Sequence, residues 1–107
     1  MATTYKILGQ ITGSAATASL YTVPAATQAV VSSVVIANRS SVSNTYWIGA
    51  VPSGSTIDTK HWVAFAVPVS GSDSTALTLG ITLNAGDSIQ VSGNATGSFS
   101  LFGSEIA

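Results

Sequence analysis

His61 is the only histidine of the chain, so acid–base or nucleophilic chemistry of the Ser-His-Asp kind would have to be built around it. Asp58 is its one sequence-local carboxylate, and serines are so abundant that one nearby carries no weight. A nucleophile needs an activating base and an enclosing pocket. The spacing supplies neither, and the plain reading is an exposed histidine beside Lys60 where a loop enters a strand. Asp58, Asp73 and Asp87 lie in different loops, without the dense oxygen-ligand spacing of a calcium loop, although loops can converge at one end of a β-sandwich. The chain has four acidic residues in all, and none is placed to flank a glycosidic bond with another. It has no cysteine, hence no disulfide framework, thiolate metal site or cysteine nucleophile. The expectation is a chain with no catalytic set, no metal, no cofactor and no small-molecule substrate.

Tyr46, Trp47 and Trp62 could stack on sugar rings if they line a sheet face. Large rigid side chains contribute most, however, when they fill a core or a subunit contact, and that reading is preferred. Lys6, Arg39 and Lys60 are the only lysines and arginines. They form no patch able to neutralise several phosphates, which argues against nucleic acid as a partner. Asn38-Arg39-Ser40 and Asn94-Ala95-Thr96 match the N-glycosylation pattern, but without a secretory signal the match is read as accidental.

The elements that must carry these residues read as strands and turns throughout. The clearest stretch is 75–91. Leu77, Leu79, Ile81 and Leu83 alternate with Thr78, Gly80 and Thr82, so a period of two places the aliphatics on one face. Asn84-Ala85-Gly86-Asp87 is a turn, in which Gly86 can take a positive φ and Asp87 can accept from backbone N–H groups. Ile89 and Val91 then point inward, with Ser88, Gln90 and Ser92 outward. The turn either closes a hairpin or carries the chain between two sheets.

Earlier, residues 4–12 place Tyr5, Ile7, Gly9 and Ile11 on one face and Lys6, Leu8 and Gln10 on the other. Gly9 marks a bulge or a close neighbouring backbone. Residues 20–23 form a short strand that Pro24 stops or pushes to an edge. Residues 29–38 place Val30, Val34 and Ile36 on one face and Val31, Val35 and Ala37 on the other. A strand apolar on both faces implies cover on both, by a second sheet on one side and by a loop or another subunit on the other. Residues 45–51 set Tyr46, Ile48 and Ala50 opposite Trp47 and Val51. In 61–67, Trp62, Ala64 and Ala66 oppose Val63, Phe65 and Val67, and 68–74 is a loop. The last strand, 98–102, turns Phe99 and Leu101 inward.

About eight short strands with turn signals roughly every ten residues, and no helical period, predict an antiparallel β-sandwich of jelly-roll or immunoglobulin-like wiring. At 107 residues one domain spanning the chain is expected. Charged residues make up 7% of it, against roughly 25% in ordinary soluble domains. A polar, nearly uncharged surface with a net charge of -1 gives copies little mutual repulsion and tolerates dense packing. No run approaches the roughly 18 apolar residues of a membrane span. The sequence starts without an apolar leader, so synthesis in the cytoplasm is expected.

Several short pieces, in succession, carry a resemblance. They are Lys6-Ile7-Leu8-Gly9-Gln10, Leu20-Tyr21-Thr22-Val23-Pro24-Ala25, Val30-Val31-Ser32-Ser33 with Asn38-Arg39, Lys60-His61, Thr78-Leu79-Gly80-Ile81-Thr82-Leu83 and Phe102-Gly103-Ser104-Glu105-Ile106. Their order over nearly the whole chain resembles small structural proteins of tailed bacteriophages, particularly those of cyanobacteria and marine bacteria. The resemblance implies a virion component with no catalytic residues to carry over, on either the head or the tail. A capsid decoration or cement protein is the leading expectation, acting as a homo-oligomer, with a trimer favoured, and contacting the major capsid protein or another virion protein. The alternatives are a tail, neck or fibre component and, from a different class, a carbohydrate-binding module for host attachment. Segments 1–10 and 102–107 are candidate contacts because unpaired strand ends can extend a neighbour's sheet. The interaction candidates are Tyr5, Lys6, Arg39, Trp47, Lys60, His61, Trp62, Phe102 and Glu105.

Overall fold

The computed structural model describes residues 2–107; Met1, at the head of the first candidate contact segment, lies outside the described residues. Period-two sequence becomes eight strands: β1 (Thr3–Thr12), β2 (Ala18–Thr22), β3 (Gln28–Asn38), β4 (Asn44–Val51), β5 (Trp62–Val69), β6 (Asp73–Leu83), β7 (Ser88–Gly93) and β8 (Gly97–Ile106). One short 3₁₀ turn, Thr59–His61, precedes β5. The strands form two four-stranded antiparallel sheets, β1-β8-β3-β6 and β2-β7-β4-β5.

The pairings β1 with β8, β2 with β7, β3 with β6 and β4 with β5 are nested. The chain thus runs as one long doubled-back hairpin rolled into two layers. That is jelly-roll wiring, and the immunoglobulin-like alternative falls away. The turn at residues 84–87 carries the chain between sheets, from β6 to β7. Gly86 takes φ 86° there, as the third position of a type II turn requires. The Asp87 carboxylate accepts from Asn84 N at 2.9 Å and from Ser53 N at 2.8 Å, so the same side chain also ties down the loop after β4.

The core lies between the layers. Val31, Val34, Ile36, Phe99 and Leu101 of the first sheet meet Tyr46, Ile48, Val69, Ile89 and Val91 of the second, all essentially fully buried. Tyr46 and Phe99 cross edge to face, with ring centroids 5.7 Å apart.

Bulges overturn the simple alternation in several strands, because one extra residue exchanges inward and outward faces beyond it. In β1 the register shifts between Ile7 and Gly9. Leu8 and Ile11 therefore pack on the core, while Tyr5 and Ile7 face out. Both readings of Gly9 apply, since a Cβ there would collide with the Leu20 carbonyl of the facing sheet. In β3 the shift falls between Val31 and Ser33. Ala29 and Val31 point inward before it, Val34, Ile36 and Asn38 after it, and Val30 turns outward. In β2 an extra residue at Leu20 lets both Leu20 and Tyr21 be buried.

In β5 the register shifts twice, opposite Trp47 and again at Val63 between the Ile48 and Gly49 pairings, and Ala66 adopts φ 52°. Ala64, Val67 and Val69 consequently face the core, leaving Val63 and Phe65 outside. Pro68 belongs to β5, not to the following loop; β5 is an edge strand, where a missing N–H is tolerated. The last strand also runs on to Ile106. Gly103, Ser104 and Glu105 have little strand preference of their own, but they are held by ladders to β1 and β3 on either side.

Candidate functional site

The central residue of the chemical reading is placed differently from expectation. His61 is buried, 7% exposed, because its Nδ1 accepts the Asp58 backbone N–H at 2.9 Å and closes the 3₁₀ turn. An accepting Nδ1 is unprotonated, so the imidazole caps the turn. The Asp58 carboxylate binds Thr59 N at 2.7 Å and does not orient the ring. Lys60 remains exposed. Asp73 accepts from Ser74 N at 2.8 Å. Each aspartate is thus engaged with local backbone, and among the described residues no three His, Asp or Glu side chains converge.

Asn38, in the first glycosylation-like motif, is 2% exposed. Its amide donates to Val42 O at 2.8 Å and Val69 O at 3.0 Å, and its Oδ1 accepts from Ser40 N. Arg39 is exposed but is engaged within its own chain, donating to Ser98 Oγ and Ala95 O, each at 2.9 Å.

Lys6 and Glu105 come together. Lys6 Nζ lies 3.2 Å from Glu105 Oε1, and Glu105 Oε2 accepts the Tyr21 hydroxyl at 2.5 Å. The cluster clasps β1 and β8 of one sheet to β2 of the other. The Tyr21 bond holds the Glu105 carboxyl below its ordinary range, opposed by burial and reinforced by Lys6. Burial, followed by that carboxylate, pushes the Tyr21 phenol up. Sequence reasoning missed Tyr21 because its partner comes from a strand on the opposite layer.

Tyr5 and Phe102 also share a location. They line a groove on the outer face of the first sheet with Ile7, Val30 and Ser32. Tyr5 is 85% and Ile7 52% exposed. The pairings Tyr5–Ser104–Val30 and Ile7–Phe102–Ser33 run directly across β1, β8 and β3. The bulges in β1 and β3 fall at this point and turn Tyr5, Ile7 and Val30 outward. Val30 escaped the sequence reading because the β3 bulge was not visible as pattern; in β1 Gly9 signalled a bulge, but not that it would turn Ile7 outward.

On the opposite layer Trp47 faces outward and meets Phe65 edge to face, with centroids 6.1 Å apart. Phe65 is 70% exposed and Val63 47%. Trp62, paired with Gly49, lies farther along the same face under the loop of residues 52–61. A Cβ on Gly49 would stand 2.8 Å from Ile57 Cδ1 and 3.3 Å from Trp62 Cε3. Trp62 is thus partly built into the loop packing, whereas Trp47 borders an open depression. Phe65 belongs with Trp47, and the outward face of the β5 alternation was the signal that could have found it.

The chain therefore presents two outward surfaces, an apolar groove on one layer and an aromatic row on the other. No protein-family model, curated protein or solved structure matches the chain.

Proposed function

We propose that the chain is a non-enzymatic structural protein of a bacteriophage virion, a capsid decoration protein that stabilises the head by bridging neighbouring shell subunits as a homo-oligomer, with a trimer favoured. The observation that carries this reading is the exposed groove of Tyr5, Ile7, Val30 and Phe102. It occupies the outer face of a strand, β3, that is apolar on both sides, and no loop among the described residues closes over Tyr5 or Ile7. Contiguous apolar surface on a weakly charged domain is suited to burial against another protein surface. Three copies around a local symmetry axis can bury such faces in a closed ring. Each contact can be modest, because many copies on one particle multiply it. The virion setting rests on the resemblance that the short ordered pieces of the sequence bear to phage structural proteins.

The test is copy number and location in purified particles of a phage that encodes the chain, by quantitative mass spectrometry and cryo-electron microscopy. Hundreds of copies distributed over the head are expected. A few to dozens confined to the tail would replace decoration by a tail, neck or fibre role, and absence from the particle would overturn the virion assignment.

A further inference from the structure

The outer face of the β2-β7-β4-β5 sheet combines an aromatic wall with uncharged hydrogen-bonding groups. Ser92 of β7 pairs with Trp47 of β4, and Trp47 in turn meets Phe65 of β5. On its β7 side Trp47 borders a shallow depression shared with Asn44, Thr45, Ser92 and Asn94. None of the residues lining it is acidic or basic.

The polar groups there have capacity to spare. Asn94 Oδ1 is occupied by Thr96 N and Thr96 Oγ1, both at 2.8 Å, which fixes the amide. Its Nδ2 makes one long contact, 3.4 Å to Asn44 Oδ1, and Asn44 Nδ2 makes one, 3.3 Å to Val42 O. Each amide carries two N–H donors, so one on each remains to be used. Ser92 Oγ reaches Ala15 O at 3.3 Å and keeps acceptor lone pairs. The Trp47 indole N–H has no partner among the described residues.

A pyranose ring offers an apolar C–H face flanked by neutral hydroxyls. A tryptophan face matches the first by dispersion and quadrupole contact, and amide and hydroxyl groups match the second with fixed direction. An anionic ligand would find no cation in the lining.

We propose that this depression, with Trp47 as its wall and Asn44, Ser92 and Asn94 as its polar rim, binds a neutral pyranose unit of a polysaccharide. The site lies on the layer opposite the Tyr5–Phe102 groove and does not depend on the decoration role.

The test uses the full chain carrying Trp62→Phe, which leaves Trp47 as the sole tryptophan reporter. It is titrated with methyl pyranosides of glucose, galactose, mannose and N-acetylglucosamine and with the corresponding linear trisaccharides. At least one series is expected to give a saturable fluorescence change, with Kd of about 0.1–5 mM for a site of this size. Trp47→Ala, followed by ligand-observed NMR, should weaken that binding at least about tenfold, and Asn94→Ala several-fold. If Trp47→Ala does not fold, Asn44→Ala and Asn94→Ala carry the test. The absence of a saturable signal across the panel to about 20 mM overturns the proposal. So does undiminished binding in the folded variants, or sugar-independent self-association through Trp47.

Discussion

At the scale of single residues, Gly9 and Tyr46 mark two kinds of constraint. Gly9 stands where β1 passes under the Leu20 carbonyl of the facing sheet, and a methyl group there would collide with backbone. Gly9→Ala is expected to destabilise the domain by about 2–4 kcal/mol, read from urea unfolding, because backbone cannot rotate away as a side chain can. Tyr46 is the opposite case. Its ring fits between Gly93 and Gly97 and against Phe99, but its buried hydroxyl has no partner among the described residues. An unsatisfied buried hydroxyl costs about 1–3 kcal/mol, so Tyr46→Phe should leave the melting temperature unchanged or raise it. A clear loss of stability would reveal a hydrogen bond to ordered water.

At the scale of elements, the clasp of Glu105, Tyr21 and Lys6 joins strands from both layers and responds to pH. The folded carboxyl of Glu105 lies below the ordinary glutamate value of 4.5. Its contribution is therefore fully present above that value and is lost as pH falls through the lower folded value. Acid unfolding monitored by circular dichroism should show a stability loss beginning below about pH 4.5 that Glu105→Gln largely removes. The edge strand β5 gives a second prediction. Valine favours strands in general, but Ala66 sits at φ 52°, where a β-branched side chain is strongly disfavoured. Ala66→Val should cost about 1–2 kcal/mol in chemical denaturation; a gain would remove the bulge from the account. This position also shows what could be read in advance. The alternation of Leu77, Leu79, Ile81 and Leu83 and the Asn84–Asp87 turn were legible because each depends on neighbours in sequence. The outward turn of Val30 and the switch at Ala66 were not, because a bulge is fixed by the strand alongside; Gly9 signalled a bulge in β1, but not that it would bury Leu8. For the same reason the chemical candidates could be listed but not sorted. The capping role of His61 is local, and its proximity to Asp58 was visible; the Lys6–Glu105–Tyr21 grouping joins residues from opposite ends of the chain.

For the whole molecule, the two layers expose different chemistry, and the two proposals divide along that line. If the Tyr5–Phe102 groove mediates assembly, Ile7→Asp should shift the chain from oligomer to monomer in light scattering coupled to size exclusion. Its thermal stability should change by less than about 1 kcal/mol, since Ile7 is largely outside the core. An unchanged oligomer would move the contact elsewhere. The nested wiring has a separate consequence for biosynthesis. Within this chain β1 pairs only with β8, so its neighbour in the finished sheet is made after the six strands between them. At about 5–20 residues per second, β1 waits several seconds with its edges bare, so nascent chains stalled before β8 should be protease-sensitive throughout and become resistant together once it emerges.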